Sequence, residues 1–156
     1  MNSPVATFFT GYAAFRHADF AAAKATLSKL SGASPDLTAR ARFLLAEIAY
    51  EDFKGVGAQG DVASTIDMNV KALAAVDRAY KPVIEAGDAP WAMFGVARLA
   101  AANAKFAAVL RGIEPPAGLS PQDQKTLKTA LEAQAATAEK RANELKGLCV
   151  KQAKKS

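Results

Sequence analysis

Few residues in this chain have the type and spacing to do chemistry. Gly55-Val-Gly57-Ala-Gln-Gly60 spells a dinucleotide-binding loop, in which glycines let the backbone approach a pyrophosphate seated on a helix N-terminus. That chemistry needs a strand before the loop. Here the preceding segment has helical period and no strand is in sight, so a flexible inter-helix loop is expected instead. His17 is the only histidine and Cys149 the only cysteine, so no nucleophile, base and orienting group assemble in the usual way. A single cysteine also excludes an intramolecular disulfide and a multi-cysteine metal site. His17 is expected at the C-terminal end of the first helix, where an imidazole suits the dipole. The acids Glu51-Asp52 and Glu85/Asp88 are adjacent or at loop ends, positions that are normally solvated and not paired for acid–base work. The expectation is a protein that is not an enzyme, with no cofactor and no metal.

The elements that would carry any site read as helices. The chain has 156 residues, enough for one domain with a core, and is 51% hydrophobic with 37 alanines. Alanine is the best helix former and lets helices pack closely, while runs of β-branched and aromatic residues are absent. The net charge of +5 is uneven: residues 139–156 hold six basic and two acidic side chains. The patch Lys146, Lys151, Lys154 and Lys155 could attract an anionic membrane surface or nucleic acid, although lysines also suit a solvated helix end. No stretch reaches about 18 uncharged apolar residues, and no basic segment followed by an apolar run marks a signal peptide. The chain starts abruptly, as an excised domain carrying an added Met1 would.

Six helices are expected. The first covers about residues 4–17 and the second 19–30, capped by Asp19. The third starts at Ser34-Pro35 and bears a stripe of Leu37, Ala41, Leu44, Leu45 and Ile48. After the glycine loop the fourth helix carries Ile66, Val70, Leu73, Tyr80 and Ile84, with Pro82 kinking its last turns. The fifth runs from about Trp91 to Gly112. The sixth opens at the cap Ser120 and repeats Leu127, Leu131, Ala135, Ala138, Ala142 and Leu145, ending or fraying at Gly147.

Gly11, Phe15, Asp19, Phe20, Ala23, Leu27 and Pro35 sit where a helical repeat of about 34 residues would put them. On these residues, segment 4–37 resembles one tetratricopeptide repeat, with Gly11 and Ala23 allowing two helix backbones to approach. Trp91-Ala-Met-Phe94-Gly95 is similar to the opening of a further repeat, except that Arg98 stands where that pattern has tyrosine. The middle pair fits by helical pattern alone. The resemblance implies an all-α fold of three antiparallel helix pairs, near 4–33, 34–86 and 89–150, stacked as a right-handed α-solenoid in one domain spanning 1–156. An ordinary six-helix bundle is the alternative. Tyr80-Lys-Pro-Val, Gly87-Asp-Ala-Pro-Trp91-Ala and Pro115-Pro-Ala-Gly-Leu119-Ser, with Cys149, also look like the tail of long tetratricopeptide proteins from the cell envelope of gliding deltaproteobacteria. That likeness leans the localisation toward a bacterial periplasm over cytoplasm.

In tetratricopeptide proteins the first helix of each pair lines a concave groove. Carried over, the groove positions are Phe8, Tyr12, Phe15 and Arg16, then Arg42, Ala46 and Tyr50, then Val96 and Leu99. Aromatic and arginine side chains dominate interface energies, although Phe8 and Phe15 could equally be core. Relatives that clamp a terminal carboxylate use lysine and asparagine where this chain has Phe8 and Tyr12, so that subtype is set aside. Phe8 and Phe9 together could pack on a preceding repeat or support a homodimer.

The leading expectation is an interaction scaffold or adaptor that binds another protein or a peptide segment, within an envelope-associated assembly. One alternative is an electrostatic tether through the basic end, without the aromatic interleaving that nucleic acid needs and with at most peripheral membrane contact. Another is a small-ligand-binding helical domain. Deleting residues 147–156 separates the first two. Retention on anionic vesicles or heparin disappears if the basic end is the working surface, and partner capture is unchanged if the groove is.

Overall fold

The computed structural model describes residues 3–153, so Lys154 and Lys155 of the basic patch lie outside the described residues. The described chain is all helical, without a strand: α1 (Pro4–Arg16), α2 (Phe20–Leu27), a 3-10 turn (Ser28–Leu30), α3 (Pro35–Val56), α4 (Val62–Glu85), α5 (Ala89–Arg111) and α6 (Pro121–Ala153).

Helix starts follow side chains that accept from otherwise orphaned backbone N–H groups. Ser3 Oγ accepts from the Ala6 N–H at 3.1 Å and Asp19 Oδ1 from that of Ala22 at 3.0 Å. Asp61 Oδ1 accepts from the Ser64 N–H at 2.7 Å, and this bond holds its carboxyl below the ordinary range. Ser120 Oγ accepts from the Asp123 N–H at 3.1 Å and donates to Asp123 Oδ2 at 2.6 Å. Ser34 precedes Pro35 as expected but makes no side-chain cap bond.

Two boundaries differ from the sequence reading. The α-helical part of α2 stops at Leu27 and tightens into the 3-10 turn, which sinks Leu30 into the core. Pro82 stands three residues before the end of α4, which closes just before the expected break at Gly87. Gly147 does not end α6, which continues to Ala153 with Gly147 and Cys149 half-buried in its last turns.

The core has two parts, and α3 serves both. Ala41, Leu44 and Ile48 pack with Phe8, Ala23, Leu27 and Leu30 of the N-terminal elements. Ala46, Tyr50 and Phe53, on another side of the same helix, pack with Val76, Tyr80 and Phe106 in the larger cluster, which reaches α6. Only the first of these two stripes was legible as a hydrophobic pattern, since alanine and tyrosine blur the second. On α4 the buried line is Thr65, Asn69, Val76, Tyr80 and Val83, while the expected Val70 is 46% exposed. The expected Tyr80 is buried, and Ile66, Leu73 and Ile84 are half-buried against the larger cluster. The α6 stripe holds as read: Leu131, Ala135, Ala138, Ala142 and Leu145 are buried, and their small side chains suit the extensive contact with α5.

α5 is long and apolar enough, by length and composition, to cross a membrane. In the fold it is an inner helix packed on α3, α4 and α6, which accounts for the same composition.

The α1–α2 link sets a strain against a close approach. The Asp19 N–H bonds the Ala14 carbonyl (2.9 Å) and the Ala18 N–H that of Phe15 (3.0 Å), with Ala18 left-handed at φ 58°. This is the Schellman arrangement, usually completed by glycine. Gly11 meets Leu27: a Cβ added there would lie 2.7 Å from Leu27 Cγ and Cδ2. Ala18→Gly should therefore stabilise the protein by about 0.5–1 kcal/mol after the entropic cost of glycine. Gly11→Ala should destabilise it by a net ~1–2 kcal/mol, overpacking exceeding the gain in helix propensity. Denaturant midpoints of the two variants should move in opposite directions.

Candidate functional site

Two sets of aromatic side chains, one on α1 and one on α3 and α5, line a common groove. On α1, Phe8 is buried and stacks nearly parallel (8°) on Tyr12 at 6.2 Å, with Phe9 against its edge at 5.6 Å. Phe9 is 61% exposed, and Arg16 Nη1 donates to the Tyr12 hydroxyl at 3.2 Å. On α3, Phe43 centres the cluster, with ring centroids 5.2 Å from Trp91 and 6.1 Å from Phe94 of α5. Phe8, Phe9, Tyr12, Arg40, Phe43, Leu44 and Trp91 enclose a groove of about 370 Å³ whose one charged lining residue is Arg40. Phe94, 54% exposed, extends the aromatic surface along α5.

One turn further along α3 and α5 the floor becomes ionic. Glu47 is buried, and both of its oxygens are occupied. Arg98 Nε donates to Oε1 at 2.8 Å and Nη2 to Oε2 at 2.9 Å, while the Tyr80 hydroxyl of α4 donates to Oε1. The Arg98 guanidinium lies over the Tyr50 ring at 5.2 Å, and its side chain is 45% exposed. The Glu47 hydrogen bonds raise the Arg98 pKa above its ordinary value. Burial, then the Glu47 bond, pushes the Tyr80 phenol far above the usual tyrosine range. Two turns on, Lys105 Nζ donates to the carbonyls of Phe53 (3.1 Å) and Lys54, the negative end of α3. Burial, then Lys54, lowers its pKa.

The sequence-expected groove residues are not all brought together. Phe8, Tyr12 and Arg16 share the α1 side of this face, and Tyr50 lies beneath Arg98. Phe15 turns away from it and packs on Phe20 at 5.8 Å. Ala46 (1% exposed) and Leu99 (5%) are core and offer a partner almost no surface. Arg42 is exposed in a separate hollow beside Pro35, Thr38 and Asp88. Val96 is half-buried in a cleft of about 380 Å³ formed with Met93, Leu148 and Cys149. The residues that share this face are Arg40, Phe43, Glu47 and Tyr50 on α3, with Trp91, Phe94 and Arg98 on α5. A signal existed, since each set steps by threes and fours and Glu47 interrupts an apolar run.

The other features are placed as follows. The glycine loop joins α3 to α4 and spends its polar groups internally. Asn69 Nδ2 donates to the Gly57 carbonyl at 2.7 Å, and Thr65 Oγ1 donates to that of Gln59 at 2.8 Å. His17 follows α1 directly. Among the described residues no three of His, Cys, Asp and Glu gather as metal ligands. Lys146 and Lys151 are exposed on α6. At the α5–α6 end, Arg111 binds Glu132 (2.9 Å) and Glu139 (2.8 Å), and Arg111 holds the Glu132 carboxyl below its ordinary range.

No protein-family model, no curated protein and no solved structure matches this chain.

Two variants test the ionic floor. Glu47→Gln should cost about 1–3 kcal/mol, because a buried charge-assisted pair is lost while Arg98 is still partly hydrated. For Tyr80 the folded pKa lies above the ordinary 10.0, so its stabilisation is complete below pH 10 and declines as rising pH ionises the unfolded chain. In Tyr80→Phe that alkaline decline should be shallower by up to about 1.4 kcal/mol per pH unit. Denaturant unfolding from pH 8 to 11 measures both.

Proposed function

We propose that this protein is an interaction scaffold that docks a segment of another protein on the α1–α3–α5 face of a short, tetratricopeptide-like helical solenoid. The observation that carries this is the patch Phe9, Tyr12, Phe43, Trp91 and Phe94, half-exposed aromatics gathered on three helices beside a groove. Such side chains supply large contact area at low entropic cost, and they are the residue types on which interface energy concentrates.

Support for the solenoid comes from the order of contacts. Every helix touches only helices one or two places away along the chain: α1 meets α2 and α3, α3 meets α4 and α5, and α5 meets α6. Contacts between α3 and α5 advance together, from Phe43 with Trp91 to Glu47 with Arg98 and Phe53 with Lys105. Those from α3 to α4 run oppositely, Gly57 with Asn69 but Glu47 with Tyr80. Helix pairs stacked side by side produce this pattern. The unit lengths are irregular, since only α1–α2 keeps the short pair, while α3, α4 and α5 run to 22, 24 and 23 residues. Gly95 accordingly packs against Tyr80 and Ile84 of the preceding α4, whereas Gly11 packs against the helix that follows it.

The double variant Tyr12→Ala/Phe94→Ala should keep its helicity and lose partner capture by about thirtyfold, as removing one strong hot spot does. Circular dichroism and quantitative pull-down from the native source measure the two. Unchanged capture removes the groove from consideration, and concentration-dependent light scattering that changes with the variant assigns the face to self-association instead.

A further inference from the structure

We infer, resting on the docking reading above, that the segment held on this face is acidic and carries an apolar anchor. The anchor meets the aromatic floor at Phe43 and Trp91, and its flanking carboxylates meet the guanidinium groups of Arg16, Arg40 and Arg98.

The charge on the three helices is one-sided. Glu47 is buried, and both its oxygens are already occupied by Tyr80 and Arg98. Asp36 is taken by Arg40 at 3.0 Å through Nε, Glu51 by Lys54 at 2.7 Å, and the exposed Asp52 by Lys24 of α2 at 3.6 Å, while seven cations on the three helices face these four acids. On the cationic side, Arg16 donates to a neutral hydroxyl and Lys105 to carbonyls; neither forms an ion pair among the described residues. The groove itself is lined by Arg40 and by no carboxylate. A basic segment would meet repulsion there, and a neutral one would strip water from guanidinium groups without replacing it.

Arg98 makes the site more than a diffuse field. Two contacts to Glu47 and the ring of Tyr50 fix its plane, yet its side chain is 45% exposed and Nη1 makes no hydrogen bond within the described chain. A guanidinium held in place loses little freedom on meeting a second carboxylate.

A protein segment fits the floor better than a nucleic acid. Phe43, Trp91 and Phe94 lie tilted against one another at 45°, 54° and 63°, so their rings offer a notch for one side chain. They offer no row of parallel faces for successive bases.

The test is selection of a phage-displayed random 12-residue peptide library on the full chain, followed by titration of the enriched peptides. Binding is measured to wild type, to Arg16→Glu/Arg40→Glu, whose side chains are exposed so that folding is retained, to Arg98→Gln and to Phe94→Ala. The expected result is enrichment of Asp and Glu beside an aromatic or branched aliphatic residue. Affinity should fall at least about tenfold on charge reversal and weaken from 50 to 300 mM salt. Neutral or basic peptides that need Phe94 but ignore the charge reversal would overturn the acidic assignment and leave the docking reading standing. No groove-dependent enrichment, or displacement of every peptide by a single-stranded RNA oligomer, would overturn both.

Discussion

A carboxylate has been taken out of water in the middle of this fold, and the arrangement of three helices follows from how it is compensated. Glu47 sits on α3, between the side that packs on α1 and α2 and the side that packs on α4 and α5. An unpaired charge there would be prohibitive, and a half-satisfied one costs more than an apolar residue. It is met by Tyr80 from α4 and by two parallel bonds from Arg98 of α5. Sliding either helix by a turn would strand the charge. The interaction therefore specifies register more than it adds stability, while the apolar mass around it (Phe53, Val76, Phe106 and their neighbours) supplies most of the driving force.

Much of this was legible in the chain itself. The helical class, the caps Asp19 and Ser120, and the α6 stripe could be read because each depends on neighbours three or four residues away. What failed depends on the third dimension. On α4 only Val70 of the expected stripe was misplaced, and Thr65 and Asn69, buried to tie down the glycine loop, were missed because polar residues do not announce burial. The Phe43 and Glu47 face of α3 was not singled out because Ala46 looks indifferent to environment, and because the partner that gives Glu47 its meaning lies 51 residues away. Arg98 shows the same limit. As a departure from a repeat pattern it looked like a defect, whereas in the fold it holds the ion pair.

The glycine loop illustrates how spelling and setting diverge. Its motif would cradle a phosphate if its N–H groups faced a strand-to-helix crevice. Joining two helices, it instead receives the side chains of Thr65, Asn69 and Gln59. Asn69 Oδ1 is left buried without a partner, a penalty of about 1–3 kcal/mol set against the loop closure its amide secures. The carbonyls of Val56, Gly57 and Gln59 and the Gln59 N–H are thereby committed to holding the loop together and against α4.

The division of the core into two parts has a mechanical meaning. α5 and one side of α3 belong to the larger cluster and are joined by the ion pair, beside which Phe43, Trp91 and Phe94 stand. α1 contributes Phe9 and Tyr12 from the smaller cluster, joined to the remainder through one side of α3. A segment docked as proposed would bridge both halves, and by mass action it would then raise the free energy needed to separate α1 and α2 from the remainder. On that reading, affinity for the segment and the N-terminal folding equilibrium are linked quantities.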